Sequence, residues 1–190
     1  MTNKKSKPQT SGLKPLSPRT LALIEKEAIG NDPENKRKDW QVFFLLRYTG
    51  MHPCVITDSK YQLKEEMIGT DMYVTWYRPK KKGMEAFTSI LKSEKMDFDI
   101  NEYVTLIQKR RKGRRSRMYI YRLVKKRSLD AGFTDVSPKS YRHTAGVEML
   151  RAGILPSTVA QTLNCSEKTL KAYIKLTPEM RGDEFKRAGW

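Results

Sequence analysis

A chain of 190 residues is long enough for one well-buried core and leaves no room for two large domains, so one domain with frayed ends is expected. Lys and Arg number 38 against 21 Asp and Glu, a formal net charge of +17 that favours a polyanionic partner, nucleic acid foremost. No stretch approaches a spanning helix, Met1 to Pro15 lacks the apolar core of an export signal, and the distant pair Cys54 and Cys165 gives neither a disulfide framework nor a zinc cluster, which together point to reducing cytosol.

Residues 1–16 are rich in Lys, Ser, Thr and Pro without periodic apolar positions, which predicts a flexible basic arm. Ser17 before Pro18 supplies an N-cap and an N1 proline, and Leu21, Ile24 and Ala28 share a helical face. With Gly30 as the stop, a first helix is expected over about 17–29. Trp40 to Tyr48 is dense in apolar residues and closes on Thr49-Gly50, the pattern of a buried helix with a glycine cap. Met72 to Arg78 and Met84 to Ile90 are rich in aromatic and β-branched residues, and Pro79-Lys80-Lys81-Lys82-Gly83 between them predicts the one hairpin of the chain. Beyond Asp99 the period turns helical through Ile100, Val104 and Ile107. A further helix runs from Ser116 through Tyr119 and Leu123 to a stop at Gly132, with the basic run Lys109 to Arg117 bridging the two. Ser137-Pro138 begins a helix that reaches Gly153, a short helix covers about 156–163, and another covers Ser166 to Leu176. The fold class read from this order is α+β, mainly helical with one small antiparallel sheet.

Several segments then point to one family. Lys139-Ser140-Tyr141-Arg142-His143-Thr144, with Gly146 and Leu150 after it, resembles the HxxRHT box of tyrosine recombinases, and Leu163-Asn164-Cys165-Ser166 resembles their LGHS box. Tyr48-Thr49-Gly50-Met51-His52 is similar to their YTGLR segment, and the hairpin with Lys80 at its tip is similar to their catalytic lysine hairpin. The resemblance covers about residues 17–176 in the right order, implies the fold of their catalytic domain, and places Tyr173 where their nucleophile belongs.

The physics of each position supports that chemistry. Cleaving a phosphodiester without a metal takes a nucleophile, cations for the charge growing on the nonbridging oxygens, and an acid for the leaving oxygen. Lys139 and Arg142 are three apart near a helix start, so they share a face beside backbone N–H groups that favour a phosphate. At the hairpin tip the long cation of Lys80 can protonate a leaving 5′ oxygen; Lys81 and Lys82 are equally placed for that role, and otherwise all three position phosphates. Tyr173, preferred to Tyr141 and Tyr103, is a phenol that attacks only where surrounding cations stabilise its phenolate. Arg110, Arg111, Arg114 and Arg115 of the basic run, together with His143, are expected DNA contacts that add salt-sensitive backbone attraction.

Three positions depart from the family pattern. His52 stands where its first arginine belongs, Lys139 at the His of HxxR, and Cys165 at the second His. Lysine keeps a charge at the phosphate, whereas a neutral imidazole brings one hydrogen bond and no charge in place of a bidentate clamp. Arg47, five residues before His52, is a candidate to compensate, and Cys165, a poor donor, is expected to pack under the helix that carries Tyr173.

The resemblance implies site-specific recombination of double-stranded DNA through a 3′-phosphotyrosine, with no metal or other cofactor, by a homo-tetramer on DNA that can be monomeric in solution, in the cytoplasm at the nucleoid. Residues 177–190, ending in Phe185 and Trp190, are a candidate docking element. Family members usually carry a DNA-clamping domain ahead of the catalytic one; here 16 residues precede Ser17, so the sequence reads as an excised domain or a minimal recombinase. The alternatives are a DNA-binding protein of the same fold without the chemistry, a type IB topoisomerase, and a helix-turn-helix regulator, since Val159 to Leu170 has Ala160 at the packed position and Ser166 as a second-helix cap.

Overall fold

The computed structural model describes residues 15–30, 39–79, 85–108, 117–166, 168–170 and 186. The Ser17 hydroxyl accepts from the Thr20 N–H at 3.1 Å and opens α1 (Pro18–Gly30), whose Leu21, Ile24 and Ala28 are buried. α2 (Gln41–Thr49) buries Val42, Phe43, Leu45 and Leu46. It ends where Gly50 turns left-handed at φ 62° and donates its N–H to the Leu46 carbonyl at 3.0 Å. α3 (Pro53–Thr57) and a short 3-10 turn over Ser59–Tyr61 follow.

The sheet has three antiparallel strands in the order β1 (Lys64–Ile68), β2 (Asp71–Pro79) and β3 (Glu85–Leu91). Val74 pairs with Glu65 on one side and Ile90 on the other. After it come α4 (Ile100–Gln108), α5 (Arg117–Asp130), α6 (Pro138–Arg151) and α7 (Pro156–Leu163). This is the expected α+β class, with two elements the sequence reading did not contain. β1 makes a second hairpin: its Lys-Glu-Glu start shows no alternation because it is an edge strand, and three of its five residues face solvent. Its outer edge is held by the Asn101 side chain, which accepts from the Glu65 N–H at 2.9 Å and donates to the Glu65 carbonyl at 3.2 Å. α3 spans five residues, too few for a periodic signal.

Two apolar clusters hold the elements. The larger joins α1, α2, α4, α5 and the inner face of β2, with Tyr141 of α6 edge-on to Phe43 of α2 at 5.8 Å between centroids. The smaller joins Ala145 and Met149 of α6, Val159, Ala160 and Leu163 of α7, and Leu170 beyond. Among the described residues no helix is long and apolar enough to cross a membrane.

α1 and α2 are also tied by a buried ion pair. Arg47 Nη1 donates to both Glu25 carboxylate oxygens at 2.9 and 2.8 Å, with side chains 17% and 11% exposed. This corrects the expectation that Arg47 compensates for the missing arginine, because its charge is spent inside the fold. Burial pushes the Glu25 carboxyl above its ordinary range, while the Arg47 hydrogen bonds pull it back. Glu25→Ala should therefore cost about 3 kcal/mol by stranding a buried cation, whereas Glu25→Leu with Arg47→Met should lie within about 1 kcal/mol of the parent. Denaturant titration of both variants checks this; equal losses would contradict it.

Candidate active site

α6 begins with Ser137, whose N–H donates to the Ser140 hydroxyl at 3.2 Å, and with Pro138 at its first position. Five residues into the helix, half-buried Arg142 reaches two other chain ends. Its Nη1 donates to the Gly50 carbonyl at 3.0 Å, and its Nη2 donates to the Leu163 carbonyl at the end of α7. A guanidinium carries five N–H bonds, so three remain for a ligand.

The close approach depends on glycine. A Cβ at Gly50 would stand 2.5 Å from Leu163 Cδ2, and one at Gly146 would stand 2.8 Å from Leu163 Cδ1. Leu163 is thus wedged between two missing side chains, which brings its carbonyl to Arg142. Asn164 ends α7 in the left-handed region at φ 46°, a conformation asparagine tolerates, and the following Cys165 N–H returns to the Ala160 carbonyl at 2.9 Å.

His52 is the N-cap of α3. Its Nδ1 accepts from the Cys54 N–H at 3.3 Å and lies 3.0 Å from the Cys54 sulfur. Because a backbone N–H can only donate, Nδ1 carries the lone pair and the ring hydrogen of the neutral imidazole sits on Nε2. Lys139 is exposed in the first turn of α6. His52, Lys139 and Arg142 border one cavity of about 240 Å³, together with Pro53, Pro138 and Tyr121 of α5. A second cavity of about 290 Å³ opens on the other side of His52 and Arg142, against Tyr61, Trp76 and Asn164. Two cations and a neutral donor around one hollow suit a tetrahedral oxyanion.

The fold therefore gathers three of the expected site residues. Cys165 packs on the smaller cluster; burial pushes its thiol up, and the nearby Arg142 charge pulls it down. His143 is corrected: at 3% exposure it faces the interior, because α6 turns the residue after Arg142 away from the hollow, so it is no surface for DNA. Tyr173, Lys80, Lys81, Lys82, Arg110, Arg111, Arg114 and Arg115 lie outside the described residues. Tyr121 and Asn164 were missed as site residues. Nothing in the spacing marks Tyr121, which adjoins the buried Ile120, whereas Asn164 was legible as the turn residue of the Leu163-Asn164-Cys165-Ser166 segment. Among the described residues no group of three or more His, Cys, Asp or Glu could hold a metal ion.

Gly50→Ala should destabilise by about 1–3 kcal/mol, from the positive φ and the collision with Leu163, and a thermal melt reads it; an unchanged melting temperature would show that Leu163 has room to yield. Burial, then the Lys139 charge, lower the His143 pKa from its ordinary 6.5, so the fold favours the neutral ring. The stability held by that ring is present above pH 6.5 and is lost as pH falls below it. Melting temperatures between neutral and mildly acid pH should fall, and His143→Gln should flatten the fall.

No family model and no curated protein matches the chain at a significant level. Solved structures do. XerA recombinase matches at 18% identity and a TM-score of 0.65 over 92% of this chain and 65% of that one. XerH site-specific recombinase, in a post-cleavage complex with a palindromic difH substrate, matches at 13% identity and a TM-score of 0.67 over 91% and 52%. The Tn1549 transposon integrase, in complex with a circular intermediate DNA, matches at 17% identity and a TM-score of 0.52 over 98% and 68%. The chain thus spans 65% of the XerA chain and about half of the XerH chain. Identities this low speak for architecture alone, and the architecture is the α+β fold of a tyrosine recombinase catalytic domain.

Proposed function

We propose that the chain performs site-specific recombination of double-stranded DNA, by cleaving and rejoining strands through a 3′-phosphotyrosine. The carrying observation is the gathering of His52, Lys139 and Arg142 around one cavity in this fold. Arg142 and Lys139 hold the phosphate and neutralise charge on its nonbridging oxygens, with His52 adding a hydrogen bond. The Tyr173 phenol oxygen bonds to phosphorus as the P–O5′ bond breaks; the phenol proton leaves to solvent or a nearby base, and the departing O5′ takes a proton from the Lys80 ammonium. A 5′ hydroxyl of another strand then displaces the tyrosine and restores the diester. The scheme calls for no metal or redox cofactor. Lys81, Lys82 and the arginines of the 109–117 run add backbone attraction, and four copies assemble on paired sites.

One observation favours a second reading, DNA binding without the chemistry. His52 spends Nδ1 on the α3 cap, so its neutral ring brings a single N–H and no charge to the place of an arginine. The regulator reading keeps local support, since Ala160 is buried and the Ser166 hydroxyl accepts from the Thr169 N–H at 3.1 Å, but the same α7 also holds Arg142 through Leu163.

A nicked suicide duplex bearing a verified attachment site decides between them. The expected result is a protein–DNA adduct that survives denaturation, is absent from Tyr173→Phe, and falls about 10²–10³-fold in Arg142→Ala. Tight, salt-sensitive binding to that site with no adduct would establish the second reading.

A further inference from the structure

We propose that Tyr121 is a phosphate-binding residue of the cleft, its phenol donating to a nonbridging oxygen of the DNA phosphate held by Arg142 and Lys139. This rests on the reading of that cavity as the phosphate site and goes beyond it by supplying a donor that the sequence did not indicate.

A guanidinium at position 52 would bring two parallel N–H bonds to a phosphate, whereas the neutral His52 ring has one N–H, on Nε2, because Nδ1 accepts from the Cys54 N–H. Arg142 gives two of its five N–H bonds to backbone carbonyls, so three remain for the anion. The hollow thus lacks the bidentate pair of a second guanidinium, and a hydroxyl on its rim adds back one of those two hydrogen bonds.

Tyr121 is placed to fill that gap. It lines the same cavity as His52, Lys139 and Arg142 and comes from a different helix, α5. α5 is anchored by Ile120, Leu123, Val124 and Ser128, all buried, which fixes the azimuth of the helix and leaves half-buried Tyr121 at the margin of the core. Tyrosine joins an apolar ring, suited to a cavity wall, to a hydroxyl that can donate to an anion. By contrast Tyr103 and Tyr141 are buried in the core, and Tyr61 borders the cavity on the far side of His52. The Tyr121 hydroxyl restores a hydrogen bond and no charge, and that distinction makes its role measurable.

The test is equilibrium binding of the whole chain to a labelled DNA duplex over a series of KCl concentrations, for the parent, Tyr121→Phe and Lys139→Gln. Tyr121→Phe should weaken binding about tenfold, the size of one hydrogen bond to a charged acceptor, with the slope of log affinity against log salt unchanged. Lys139→Gln should lower that slope by about one, as expected for one lost phosphate contact. Parent-like affinity in Tyr121→Phe, beside a clear Lys139→Gln effect, overturns the inference and leaves the phosphate site standing. A slope that falls in Tyr121→Phe also overturns it, because the residue then acts by holding the cations in place. If Lys139→Gln changes neither affinity nor slope, the cavity is not where DNA binds, and both readings fall together. In the suicide-substrate assay Tyr121→Phe should still form the adduct at a reduced rate; an adduct that needs Tyr121 and survives Tyr173→Phe makes Tyr121 the nucleophile and ends the proposal.

Discussion

Two hydrogen bonds from one guanidinium organise this molecule. Arg142 on α6 holds the carbonyl that follows α2 and the carbonyl that ends α7, so two helix ends meet α6 at a single planar group. Gly50 and Gly146 exist to let Leu163 come close enough for that meeting. The edge-on Phe43–Tyr141 contact fixes the distance between α2 and α6 from the core side. The guanidinium cannot swing without loosening α7 and the turn at Gly50, which makes it a preorganised cation. Both partners are neutral carbonyls, so the clamp fixes the position of Arg142 without cancelling its charge.

Arg47 shows the opposite solution. Its partner is a carboxylate, both side chains are mostly buried, and the pair serves to join α1 to α2. Lys92 is likewise committed, to Glu65 of the edge strand at 2.7 Å and to the Phe98 carbonyl at 2.8 Å. Cations that meet carboxylates brace the scaffold, and Arg142, held by carbonyls, keeps its field for an anion. The net charge of +17 thus overstates what any one place offers; what counts is which charges the fold leaves uncancelled.

Much of the architecture was legible because helix ends are written locally. Ser17-Pro18, Ser137-Pro138, Gly50, Gly132 and Gly153 punctuate the chain where the helices begin and end. The site was legible in part: the Thr49-Gly50 segment and the Arg-His-Thr box stood out in the sequence, and the fold joins them through Arg142 and the Gly50 carbonyl, while Thr144 accepts from the Leu16 N–H at 2.8 Å. What was not legible depended on neighbours far along the chain. β1 takes its strand form from β2 and Asn101, Arg47 is claimed by Glu25 on another helix, and His143 is buried by a rotation of α6 that spacing alone leaves undetermined. Tyr121 belongs to the same class, since only packing says which turn of α5 reaches the cleft.

The capping bond at His52 bears on how such a site changes over time. Its Nδ1 lone pair holds the first turn of α3, and an arginine has no acceptor with which to do the same. An arginine at position 52 would remove that acceptor and open the end of the helix that carries Val55 and Ile56 into the core. The histidine is therefore entrenched: it is part of the local fold, and replacing it calls for a second substitution that caps α3 by other means.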